Sequence, residues 1–168
     1  MPPTSRSLDL GTRLYAYNLN NHVAKLAAAG TKFLATSWSS QGRDFVSVIF
    51  QIGRSAGVLE YFSDVFDEEL VRKHAAGFQA APAPRYAFKE GEGPADVFPD
   101  DEDDYLYAAA VSHFVSDMAA SHIFQTEVLG MTQVEEYLGE DGAVTRAYVQ
   151  APNADASFSM VQISDRTT

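Results

Sequence analysis

Apolar and polar positions along this chain alternate in short runs, and the runs fall into an order that occurs twice. TRLYAYN (12–18) is a β-prone, tyrosine-rich stretch. Asn18 follows as a helix N-cap, because its side chain can accept a bond from a free backbone N–H. Leu19, Val23 and Leu26, with the alanines between them, set an amphipathic stripe, and Gly30 suits the left-handed position that closes a helix. KFLATSW (32–38), FVSVIFQIG (45–53) and VLEYFS (58–63) then read as strands, separated by the turns SSQGRD and RSAG. The second pass is YLYAAAVSHFV (105–115), a cap at Asp117, the helix AASHIFQTEVL (119–129) and a closing Gly130. TQVEEYL (132–138), AVTRAYVQA (143–151) and ASFSMVQIS (156–164) complete it. Asn18 thus corresponds to Asp117, Leu19 to Met118 and Gly30 to Gly130. Neither copy can bury its apolar face alone. The expected fold is α+β: two βαβββ modules, at 8–64 and 105–168, forming one curled mixed sheet around a cavity.

The residues between the modules, 65–104, are expected to be a connector. FDEELVRKHAAG (66–77) predicts one helix, whereas AAPAPRYAFKEGEGPADVFP (80–99) carries four prolines and predicts none. Between Lys89 and Asp104 there are eight acidic residues against one lysine, which predicts a solvated, flexible connector over 82–104. DDEDD (100–104) lacks the spaced ligands and turn glycine of a calcium loop.

Composition narrows the function classes. The 168 residues include 12 basic and 23 acidic ones, a formal net charge of −11, which disfavours nucleic acid as a partner. There is no cysteine, so disulfides and thiolate metal sites within the chain are excluded. No apolar run approaches the roughly 20 residues of a membrane span, and MPPTSRSLDL has no apolar signal core. No membrane partner is expected, and the cytoplasm is the expected compartment. Eleven phenylalanines and eight tyrosines are ample for a packed interior.

HFVSDMAASHIFQTEVLGM resembles the opening helix motif of the vicinal oxygen chelate superfamily, which includes glyoxalases, bleomycin-resistance proteins and extradiol dioxygenases. AYNLNNHVAKLAAAGTKFLAT with IGRSAGVLEYFSD resembles the closing half of such a domain. The closing-type half leads here, which implies a permuted domain, a piece of a longer tandem, or a protomer that pairs by exchange as a homodimer. Metal-binding members place His or Glu on the first strand of a module and Glu on the fourth. Here the first-strand positions fall on Gly11 and Ala110, which cannot ligate. The fourth-strand position falls on Glu60 in the first copy and on Gln162 or Val161 in the second. The resemblance therefore implies a protein with no resident cofactor, while leaving room for a divalent metal at Glu60.

Strand alternation puts Gly11, Arg13 and Tyr15 on one face, with Ala110, Ser112 and Phe114 on the matching face of the second copy. Glu60 joins Val58 and Phe62, and Met160 joins Gln162. If that face lines a cavity, Arg13, Tyr15, Phe62, Ser112, Phe114, Met160 and Gln162 are the expected ligand contacts. They suit a small, partly aromatic or apolar molecule with a few polar groups. Glu60 has three readings: a carboxylate paired with Arg13, a ligand-orienting or catalytic carboxylate, or a metal ligand. As a catalytic base it would rely on desolvation to raise its pKa. His113 alternates toward the helix side, and one bulge would turn it inward as a second metal candidate. His22 and His122 are expected at the surface or its boundary, and Trp38, Phe45, Phe50 and Phe124 in the core. Three functions compete: metal-independent small-molecule binding, a metal-dependent lyase, isomerase or dioxygenase, and an assembly module of a larger protein.

Overall fold

The computed structural model describes residues 10–51, 57–81, 83–98, 106–150 and 160–165. The first half runs β1 (Leu10–Ala16), α1 (Leu19–Ala28), β2 (Leu34–Ser40), β3 (Arg43–Gln51) and β4 (Val58–Ser63). The second repeats the order as β6 (Leu106–Val115), α4 (Met118–Ile123), β7 (Thr132–Leu138), β8 (Val144–Gln150) and β9 (Met160–Asp165). Between them lie α2 (Glu68–His74), β5 (Gly77–Ala80) and a one-turn α3 (Pro94–Val97). Of these three, only α2 is legible in the sequence. The ends of the predicted strands at 52–53, 105, 151 and 156–159 lie outside the described residues.

All the strands join one sheet in the order β5-β2-β3-β4-β1-β6-β9-β8-β7. Each half has the same internal pairing, with β1 parallel to β4 and β6 parallel to β9. The halves meet edge to edge where β1 runs antiparallel to β6. The two halves therefore pair with each other within one chain. Both helix starts are capped as the sequence predicts. The Asn18 side chain accepts from the Asn20 N–H, and that of Asp117 from the Ala120 N–H. Gly30 and Gly130 close the two helices at φ +70° and +68°. Gly130→Ala should therefore cost about 1–2 kcal/mol, since an L side chain clashes with its own backbone in that region. Urea melts that shift by less than 0.3 kcal/mol would show that the helix can end without the left-handed residue.

One face of the sheet carries α1 and α2 over a core of Ala16, Leu19, Val23, Phe33, Val46, Val48 and Val71. His22 belongs to this layer, which corrects its expected surface position. It is buried, with its ring edge-on to Tyr61 at 5.3 Å, because α1 lies directly on β4. Phe124 departs from expectation in the other direction and is 51% exposed. There are two reasons. The helix turns from α to π geometry at Phe124–Val128, so the apolar stripe drifts off the sheet. Among the described residues, moreover, no further helix packs on α4 as α2 packs on α1.

The opposite, inner face is where the connector goes: over 83–98 its aromatic side chains are buried, while Glu90, Gly91, Ala95 and Asp96 stay exposed. Tyr86, Ala87, Phe88 and Phe98 are all buried against Tyr15, Trp38, Phe45 and Phe62 of the first half and Tyr148 of the second. Phe98 stacks on Tyr15 at 4.7 Å, Tyr86 on Phe62 at 5.3 Å and Phe88 on Phe45 at 5.5 Å. Apart from the one-turn α3, which starts on Pro94, the strap carries no helix, and its aromatic side chains fill the hollow of the curled sheet. One strap carbonyl is held by the second half of the sheet. Arg146 Nη1 (3.0 Å) and Tyr148 OH (3.3 Å) both donate to the Pro84 carbonyl. The acidic run at 100–104 lies outside the described residues. Among the described residues no helix is long and apolar enough to cross a membrane.

Candidate functional site

Three strands and the strap converge on one ionic cluster. Arg13 sits on β1 opposite Glu60 on β4, and on its other side opposite Ala110 on β6. Arg13 Nε donates to Glu60 Oε2 at 2.7 Å, and Arg13 Nη1 donates to Ser112 Oγ. From the strap, Arg85 Nε (2.9 Å) and Nη2 (2.7 Å) both donate to Glu60 Oε1. Arg13 and Glu60 are 4% and 3% exposed, and the Arg85 side chain 24%. The carboxylate is thus gripped by a guanidinium on each oxygen.

This grip decides the electrostatics. Burial pushes the Glu60 carboxyl upward, but Arg85 and then Arg13 outweigh it, so its pKa lies below the ordinary carboxylate value. The raised pKa expected of a catalytic base does not develop, because desolvation is opposed by two adjacent cations. Burial likewise pushes the neighbouring Tyr148 phenol up, so it stays neutral.

Beside the cluster is a cavity of about 200 Å³ lined by Gly11, Arg13, Ile49, Val58, Glu60, Arg85 and Ser112, with Thr12 at its edge. Arg13, Glu60 and Ser112 are brought together there as the alternation predicts. Tyr15 and Phe62 share that strand face but do not wall the cavity, because Phe98 and Tyr86 of the strap cover them. Its apolar walls are instead Ile49 and Val58. Phe114, Met160 and Gln162 are placed through their backbone. Ser112 pairs with Gln162 as Arg13 pairs with Glu60, so Gln162 rather than Val161 is the counterpart of Glu60 in the second half. His113 follows Ser112 on β6 and lies with Ala120, Phe124 and Gln125 on the helix side, across the sheet from Glu60. The bulge of β6 lies before His113, where Arg13 faces Ala110 but Leu14 faces Ala108, and it leaves His113 on the helix side. A wider cleft of about 540 Å³, lined by Trp38, Asp44, Glu68 and Pro84 among others, has no comparable cluster of paired charges.

Arg85, Ile49 and the cavity role of Val58 are not foreseen from the sequence. The available signal for Arg85 was its setting in PRYAF, a cation between a proline and alternating aromatics inside an otherwise acidic stretch. Reading that stretch by charge alone hides an apolar strap with one cation.

The chain is similar to a methylmalonyl-CoA epimerase from Mycobacterium tuberculosis, at 11% identity over 98% of this chain and 92% of that one, with a TM-score of 0.52. The chain shares the α+β fold of that epimerase. Weaker likenesses are to a glyoxalase I variant from Zea mays and a Streptomyces coelicolor methylmalonyl-CoA epimerase in complex with 2-nitronate-propionyl-CoA. The first has 13% identity, 92% and 43% of the two chains and a TM-score of 0.48. The second has 11%, 92% and 94%, and 0.45. Neither a scan against protein-family models nor a search of curated proteins returns a match.

Vicinal oxygen chelate proteins often use a divalent metal, and the residues here do not fit one. Both Glu60 oxygens already accept from guanidiniums, and two cations beside a divalent ion would repel it. Gly11 and Ala110 offer no side-chain ligand. Among the described residues, no group of three His, Cys, Asp or Glu converges on any point.

Proposed function

We propose that this chain is a small-molecule-binding protein of the vicinal oxygen chelate type, similar in design to glyoxalase and bleomycin-resistance proteins. Its ligand occupies the cavity between the two halves without metal coordination. The observation that supports this reading is the Arg13–Glu60–Arg85 clamp. It puts fixed hydrogen-bonding groups and a charge at the sheet's central seam, beside open space with apolar walls. A few placed polar groups in an otherwise apolar hollow are what small-ligand recognition requires.

Two measurements test it. Bound-metal analysis of the purified protein should give no stoichiometric Fe, Mn, Zn or Ni; stoichiometric metal that Glu60→Gln removes would overturn the metal-free reading. Ligand-observed NMR with a fragment library should detect binders that compete with one another. Val58→Phe, which fills the cavity from β4, should abolish them. Binders indifferent to Val58→Phe would place the ligand elsewhere.

A further inference from the structure

The cavity holds more positive than negative charge, and the excess sits on Arg85. Its described lining includes two guanidiniums and one carboxylate. A buried excess charge is costly unless a counter-charge meets it. Arg85 spends its Nε and one Nη2 proton on Glu60 Oε1. A guanidinium has five N–H donors in a rigid fork, so the edge formed by Nη1 and the second Nη2 proton remains. That edge has no partner among the described residues, and Arg85 lines the cavity. Two parallel N–H groups on one guanidinium edge match the two oxygens of a carboxylate in bidentate geometry, whereas the other edge converges on a single oxygen of Glu60.

Size and walls narrow the ligand further. At roughly 30 Å³ per water, about 200 Å³ admits on the order of seven non-hydrogen atoms. Beside the charged groups the lining includes Ile49, Val58 and Gly11, which suit a compact alkyl group. We propose that the cavity takes a short aliphatic carboxylate, docked on the Nη1/Nη2 edge of Arg85 with its alkyl end against Ile49 and Val58. This rests on the reading that the cavity is a ligand site, and it adds the ligand's charge and class.

The experiment uses the full chain and three probes that share an isopropyl group: isobutyrate, its isostere isobutyramide, and the smaller cation isopropylamine. Each is titrated by methyl NMR at constant ionic strength, following Ile49 and Val58. Isobutyrate should bind at least tenfold more tightly than the amide, and the amine should not bind. In Arg85→Gln the acid should lose its advantage over the amide. Arg85→Lys, which keeps the charge but not the fork, should recover only part of it. The comparison of acid with amide in the wild-type protein needs no variant, so misfolding of Arg85→Gln does not blunt the test. Equal binding of acid and amide at Ile49 and Val58 would overturn the carboxylate assignment and leave the cavity as a ligand site. Failure of all three probes, together with loss of fragment binders, would overturn both.

Discussion

Glu60→Gln should lower folding stability by about 3–5 kcal/mol, the usual cost of removing one partner from a buried ion pair. The substitution keeps the volume but removes the charge that pairs with both Arg13 and Arg85. Acid should reveal the same interaction. A carboxyl whose folded-state pKa lies below its unfolded value contributes stability that is fully present above the unfolded value, here about 4.5, and lost as pH falls through the folded one. Chemical denaturation of wild type and variant should therefore differ most at pH 6–7 and converge as the pH falls below about 4. Joint replacement of Arg13, Glu60 and Arg85 by apolar residues of similar size should restore much of the loss, since the pair's cost is mainly desolvation. A Glu60→Gln loss under 1 kcal/mol would mean that water reaches the cluster and screens it.

Phe98→Ala should cost about 3–5 kcal/mol, because the ring is buried on the inner face, stacked on Tyr15, and packed near Phe62, Tyr86 and Tyr107. A solvated connector would lose almost nothing at this position. The two cases also separate by limited proteolysis. With the strap seated, cleavage within 83–98 should be slow in the wild type and faster in the variant. Fast cleavage of the wild type, with an unchanged melting curve for Phe98→Ala, would unseat the strap from the inner face. Because Arg85 lies on that strap, loosening it should also weaken the hold on Glu60 and soften the acid transition.

The order of elements in both halves was open to a reading of the chain, and the reasons are local. A helix cap such as Asn18 or Asp117, a left-handed Gly30 or Gly130, and alternation along VLEYFS depend on a few neighbouring residues only. Alternation also put Arg13, Glu60 and Ser112 on one face and His113 on the other, since β side chains repeat every two residues whatever the sheet around them. The resemblance carried the pairing of two modules, and the common spacing from cap to first strand carried the equivalence of Gly11 with Ala110.

The inner face was decided by tertiary structure. Whether Tyr15 and Phe62 wall a cavity or lie under a core depends on what else reaches them. That is the strap at 83–98, 21 residues or more away in sequence from Phe62 and Tyr15. Its alternating Tyr86 and Phe88 and the separate Phe98 are set among prolines and acids, so composition pointed to solvent where packing drew them inward. The charge state of Glu60 has the same origin. Its own strand predicts a buried carboxylate and Arg13 a partner, but only the fold brings Arg85 to the second oxygen, and the sum of burial and two cations sets the direction of its pKa. Local hydrogen bonding and periodicity are written in adjacent residues; the contents of a cavity depend on contacts between distant ones, which only the folded chain assembles.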